Sequence, residues 1–208
     1  MPNKFYPVVL EDGQKKLLPL VGRFFADFYL AGGTAIALQL GHRRSIDFDL
    51  FTPRAISQPK IRKIIIKNNH IDRVIIDEKD EYTLIVDGIK LTFLHYPFNI
   101  KPSKKFDGYI QLPDLPTLAA MKAYALGRRA KWKDYVDLYW IMENNCGIVK
   151  IIRKAKEIFG AEFNEKNFRR QIAYFKDIDY TETVDWLSRF KVSDKKIKDS
   201  LIKFSLME

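Results

Sequence analysis

The sequence is most informative at first through what it lacks. It has one cysteine, Cys146, so an internal disulfide framework is excluded and a reducing compartment is expected. Cys146 lies in "NNCGI" with no histidine nearby, which reads as a structural thiol rather than a nucleophile. No apolar run approaches the roughly 18 residues of a membrane span. The opening "MPNKFYPVVLEDGQKK" has no uninterrupted apolar core of the signal-peptide kind. Internal repeats and low-complexity segments are also missing. These absences point to a soluble cytoplasmic protein without a membrane partner.

Hydrophobic residues make up 47% of the 208 positions, enough for a packed core. Charged residues make up 30%, mixed in sign along the chain, which argues against disorder. The formal net charge is +10. That excess fits a polyanion partner, nucleic acid or nucleotide phosphates, and fits a plain solvated basic surface equally well. Lys122, Arg128, Arg129, Lys131 and Lys133 form one basic cluster, and Lys150, Arg153, Lys154 and Lys156 another.

Periodicity divides the chain into a mixed α/β half and a helical half. Residues 14–28 carry apolar residues at helical spacing, with Pro19 expected in the first turn. Tyr29 to Ala31 reads as a short strand, Thr34 to Leu40 as a helix stopped by Gly41, and Ile46 to Phe51 as a half-buried strand. A helix over 57–69 follows, then strands at 73–77, 82–86 and 89–95, the last two joined by an Asp87-Gly88 hairpin turn. The stretch 97–116 contains four prolines and reads as a loop with a short strand at 109–112. Helices are expected near 116–129, 132–145, 147–159, 165–176 and 194–206.

The stretch "LAGGTAIALQLGHRRSIDFDLF" carries the chemistry. Residues i and i+2 of a strand share a face, so Asp47 and Asp49 project together while Ile46, Phe48 and Leu50 pack the other side. Two neighbouring carboxylates repel unless a cation intervenes, and Mg²⁺ prefers such hard oxygen ligands. Arginines Arg43 and Arg44 offer an alternative partner for the acids. Gly32-Gly33-Thr34, between strand and helix, can bring bare backbone and a helix N-terminus to a phosphate, or can simply be a tight turn. Taken together, a phosphate seat and a metal seat separated by one short helix suit metal-assisted nucleotidyl transfer.

This stretch resembles the AbiEii/AbiGii-type nucleotidyltransferases, a branch of the DNA polymerase β superfamily. Gly32, Gly33, Asp47 and Asp49 match the superfamily pattern, and Arg43, Ser45 and Asp47 match the Arg-x-Ser-x-Asp of the branch. In the helical half, "MKAYALGRRAKWKDYVDLYWI" matches a second motif through Lys122, Lys133-Asp134 and Asp137-Leu138.

The resemblance implies an α+β fold. A polymerase-β-like domain over 1–112, a mixed sheet flanked by helices, would be followed by a helical bundle over 113–208 that completes the active-site cleft. It implies Asp47 and Asp49 as ligands of Mg²⁺ (or Mn²⁺), and Gly32, Gly33, Thr34, Arg43 and Ser45 as substrate-binding residues. Lys122 would contact phosphates and Asp134 would orient or activate the acceptor. The implied substrate is an NTP, the implied acceptor a hydroxyl of tRNA or protein, and the implied partner a cognate antitoxin. One departure stands out. Many superfamily members take a third carboxylate from a later strand, where "GIKLTFLHY" offers Thr92, with His95 nearby. That substitution motivates a second reading, a nucleotide-binding or regulatory module that keeps the fold without turnover.

Overall fold

The computed structural model describes residues 4–144 and 146–208. The chain folds as two compact units. One comprises residues up to 39 together with 44–114, and the other comprises 40–43 together with 115–208.

The first unit is built on a seven-stranded mixed sheet. Its elements in chain order are α1 (Asp12–Gly22), β1 (Tyr29–Ala31), α2 (Gly32–Leu40), β2 (Phe48–Thr52), α3 (Gln58–Ile65), β3 (Ile71–Asp77), β4 (Glu81–Val86), β5 (Ile89–His95), β6 (Lys104–Phe106) and β7 (Ile110–Leu112). The strand order is β3-β4-β5-β2-β1-β7-β6. β2 runs parallel to β5 and antiparallel to β1.

Strand register explains which side chains make the core. Phe48 lies opposite Leu91 and Leu50 opposite Phe93, while Leu84 and Tyr82 extend the same row on β4. All six are buried. Phe24 and Phe28, just beyond α1, close on the Phe93 ring at centroid distances of 4.8 and 5.3 Å. The alternate residues of the same strands, including Asp49, Lys90 and Thr92, therefore occupy the opposite face.

Four expectations need correction here. Pro19 sits well inside α1, because a reciprocal cap between Glu11 and Gln14 starts the helix at Asp12. Pro19 and Lys15 are both exposed, so water can serve the carbonyl that lacks a donor. The helix also ends at Gly22, and the chain continues to Phe28 in tight turns that place the aromatic rings. Ile46 is 53% exposed and outside the core, since strand pairing starts only at Phe48. Finally, Lys104–Phe106, expected as loop, forms β6. Asp107 and Gly108, with φ of 44° and 71°, turn it into a hairpin with β7, as Asp87 and Gly88 do between β4 and β5.

The second unit contains α4 (Leu115–Leu126), α5 (Trp132–Glu143), α6 (Ile148–Phe159), α7 (Glu165–Ile172) and α8 (Asp194–Ser205). The expected last residue of α5, Asn145, lies outside the described residues. Nine of the twelve α4 residues are buried, which makes it the central helix, packed by α5, α6 and α7. α6 buries Ile148, Ile151, Ile152, Ala155 and Phe159, one face at helical spacing. Asn164 and Ser193 cap α7 and α8 through their side-chain oxygens. Segment 40–43 is tied in by an Arg43–Trp186 bridge and by Leu187 N–H donating to the His42 carbonyl at 3.2 Å. Among the described residues no helix is long and apolar enough to cross a membrane.

Gly88 has φ of 79° and open space where a side chain would begin. Gly88→Ala should therefore cost only the left-handed backbone penalty, roughly 1–2 kcal/mol. Urea unfolding checks this, and an unchanged midpoint would contradict the turn assignment.

Candidate active site

The first unit gathers the glycines and aspartates around the N-terminus of α2. Gly32 has φ of +66°, and a Cβ placed on it would lie 1.9 Å from Asp49 Oδ2. Glycine is thus required twice, for its backbone conformation and for the volume that the carboxylate fills. The helix N-terminus beside it favours the negative charge of Asp49. Gly33 is half-buried in the same turn.

Thr34 is 1% exposed, and its hydroxyl donates to the Asp47 carbonyl at 2.5 Å. Gln14 donates to the Ser45 carbonyl at 2.8 Å. These two bonds hold residues 45–47 in front of β2 and aim Asp47. The Thr34 hydroxyl, expected to face phosphate, is buried against residues 45–47. Ser45 remains half-buried.

Asp49 lies beside Thr92 across the parallel β2–β5 pair. One step earlier, Lys90 Nζ stands 2.6 Å from Asp47 Oδ2. Thr92 hydrogen-bonds at 3.2 Å with Thr83, whose hydroxyl also donates to Glu81 at 2.8 Å. His95 is three residues from Thr92, hence on the other face, where it bonds Asp80 at 2.8 Å. It is no substitute for a third carboxylate. Among the described residues no group of three or more His, Cys, Asp or Glu could hold a metal. The candidate donors are the two carboxylates of Asp47 and Asp49. This fits a hard cation such as Mg²⁺, which takes one or two carboxylates and completes its shell with substrate phosphates and water.

The second unit holds a separate buried ionic cluster. Arg43, 2% exposed, donates twice to Asp137, from Nε and Nη2, each at 2.8 Å. His42 Nε2 lies 2.8 Å from the same carboxylate. Lys122 pairs with Asp134 and lies 3.1 Å from Asp137. Asp134 also accepts from Arg129 Nε at 3.1 Å, at the half-exposed rim. The structure thus brings Lys122, Asp134 and Arg43 together. Asp134 and Asp137, three apart on α5, face one side of that helix, and α4 supplies the lysine.

Charge balance keeps this cluster buried, since Arg43 and Lys122 match Asp134 and Asp137. Burial alone would raise Asp137, but Arg43 and Lys122 hold its carboxyl well below the usual carboxylate range. Burial alone would lower Lys122, and Asp134 and Asp137 reverse that, so its ammonium is held above the ordinary lysine value. Burial pushes the His42 imidazole down despite its bond to Asp137, and the ring is neutral near pH 7. Arg43 is buried and committed to Asp137, an arrangement in which it positions that carboxylate. Cavities of about 540 and 680 Å³ along α7 share no residue with this cluster.

The model of the family described as "Nucleotidyl transferase AbiEii toxin, Type IV TA system" matches residues 20–83 and 92–199. The chain belongs to the AbiEii nucleotidyltransferase toxin family. An uncharacterised protein of Aquifex aeolicus is 32% identical over 155 residues, covering 73% of this chain and 75% of that one. MenT4, a nucleotidyltransferase toxin of Mycobacterium tuberculosis, superposes with a TM-score of 0.65 at 14% identity, over 93% of this chain and 80% of that one. A candidate nucleotidyltransferase of H. pylori superposes with a TM-score of 0.58 at 15% identity, over 93% and 92%. At these identities the likeness is one of fold. It establishes the expected α+β architecture, a mixed sheet with helices followed by C-terminal helices.

Two residues of these charged clusters escaped the sequence reading. Lys90 could have been found by parity, since it precedes Thr92 by two in an alternating strand. His42 had no sequence signal beyond its place before Arg43.

His42 and Asp137 both bind protons less readily folded than unfolded. Stability should therefore fall with pH, first below about 6.5 for His42 and again below about 4 for Asp137. Asp137→Asn leaves buried cations underpaired and should cost roughly 3–5 kcal/mol at pH 7 while removing the lower step. Denaturant unfolding at neutral and acid pH checks both, and a variant as stable as the parent at pH 7 would contradict the cluster's role.

Proposed function

We propose that this AbiEii-family protein transfers a nucleoside monophosphate from an NTP to a hydroxyl acceptor. Mg²⁺ or Mn²⁺ would be held by Asp47 and Asp49. The observation that carries this reading is the Asp47/Asp49 pair, set against a glycine whose missing side chain makes room for one of the carboxylates. When bound, the metal would neutralise phosphate charge and polarise the α-phosphate.

In the transfer, the acceptor oxygen bonds to the α-phosphorus and its proton leaves. The bond to the β-phosphate breaks and pyrophosphate departs. Gly32 and Gly33 would give the triphosphate close access to backbone, with Ser45 as a further hydroxyl. Lys122 is proposed to act as a fixed positive charge on phosphate, and Asp134 to orient the acceptor.

The acceptor is proposed to be tRNA or a protein hydroxyl, the former in keeping with the net charge of +10. The biological setting proposed is the cytoplasmic toxin of a toxin–antitoxin or phage-defence pair, controlled by a cognate antitoxin.

Incubation with α-labelled NTPs, Mg²⁺ and a lysate containing total RNA tests the reading. The expected result is label in RNA or protein that falls at least about 100-fold with Asp47→Ala or Asp49→Ala, as for loss of transition-state charge stabilisation. Transfer that survives both substitutions would reject the site. NTP binding with no transfer to any fraction would reject the activity.

A further inference from the structure

We propose that Lys90 is a resident counter-cation of the Asp47/Asp49 pair, and that it makes divalent-metal binding depend on the arrival of the nucleotide. The inference rests on the reading of those aspartates as metal ligands.

The register puts the lysine where it must compete. On one face of the sheet, Asp49 lies beside Thr92, Lys90 shares that face two residues earlier on β5, and Asp47 stands just before the first pair of β2. The ammonium reaches Asp47 Oδ2 at 2.6 Å. The backbone of Lys90 is fixed by its pairing with Ile85 and by the tight Asp87-Gly88 turn two residues earlier. Leu91 and Phe93 alternate into the core, so a shift in strand register that moved Lys90 away would expose them. The head group is adaptable where the backbone is not. The side chains of Lys90 and Asp47 are 39% and 32% exposed, so solutes can reach the pair.

Charge counting gives the consequence. Two carboxylates and one ammonium sum to −1. A divalent ion added alone would bring the group to +1, with a tethered cation facing the newcomer. A triphosphate arriving with the ion adds several negative charges and gives the Lys90 ammonium a new anion within reach of its flexible stem. Metal alone must displace the lysine, whereas metal with nucleotide re-pairs it. The site is thereby biased against binding free divalent ions and towards the metal–NTP complex.

The test is Mn²⁺ binding followed by electron paramagnetic resonance. The wild-type chain is compared with Lys90→Met, with and without a non-hydrolysable α,β-methylene NTP. Lys90→Met should bind Mn²⁺ alone several-fold to about tenfold more tightly than wild type, the range expected when a close competing charge is removed. With the analogue present, that advantage should vanish or reverse. Lys90→Gln provides a second neutral variant should Met disturb the strand, and Lys90→Arg, which keeps the charge, should behave as wild type. Equal Mn²⁺ affinity of wild type and both neutral variants without nucleotide would overturn the role of Lys90. Failure of every variant to bind Mn²⁺ with the analogue would instead overturn the metal reading of Asp47 and Asp49.

Discussion

Asp49 in β2 and Asp47 just before it set two carboxylates at the start of one strand, and the first unit is arranged around containing their repulsion. Phe48 and Leu50 anchor β2 in the core from its other face, so Asp49 cannot turn away without exposing them. Gly32 gives up a side chain to leave the Asp49 carboxylate room at a helix N-terminus. Thr34 and Gln14 clamp the residues before the strand and aim Asp47. Lys90 supplies positive charge from the neighbouring strand. The hydrophobic residues of β2 and Asp49 are two faces of the same strand, and Asp47 stands just before it.

The second unit manages charge differently. Its four central ionised groups are almost fully buried and balance one another, so their worth lies in mutual dependence. Arg43 and His42 both hold Asp137, which in turn holds Lys122. A lysine fixed in this way is a permanent cation with a set orientation. The Arg-x-Ser-x-Asp motif is shared between the units, Arg43 with the helices and Ser45 and Asp47 with the sheet. Its conspicuous arginine serves internal architecture.

Regular alternation and the Gly-Gly and Asp-x-Asp signals made the strands, α2 and the aspartate pair legible in the sequence. The helical half was legible from its 3.6-residue period. What stayed hidden depended on tertiary partners. Ile46 looks like a core residue until the pairing limit of β2 at Phe48 is known. The bond from Thr34 to the Asp47 carbonyl joins residues 13 positions apart, and no local pattern announces it. The β6–β7 hairpin carries the same Asp-Gly signal as the β4–β5 hairpin, but three-residue strands among prolines are too short to show alternation. His42 and Asp137 lie 95 positions apart, and no local pattern links them.

The central claim is that Asp47 and Asp49 form a metal seat for an NTP. Anomalous diffraction from crystals grown with Mn²⁺ and an α,β-methylene NTP tests it most directly. The account predicts a manganese peak within about 2.0–2.3 Å of a carboxylate oxygen of each aspartate, with phosphate oxygens completing the shell. Manganese and nucleotide bound elsewhere, with both aspartates free of the ion, would contradict it.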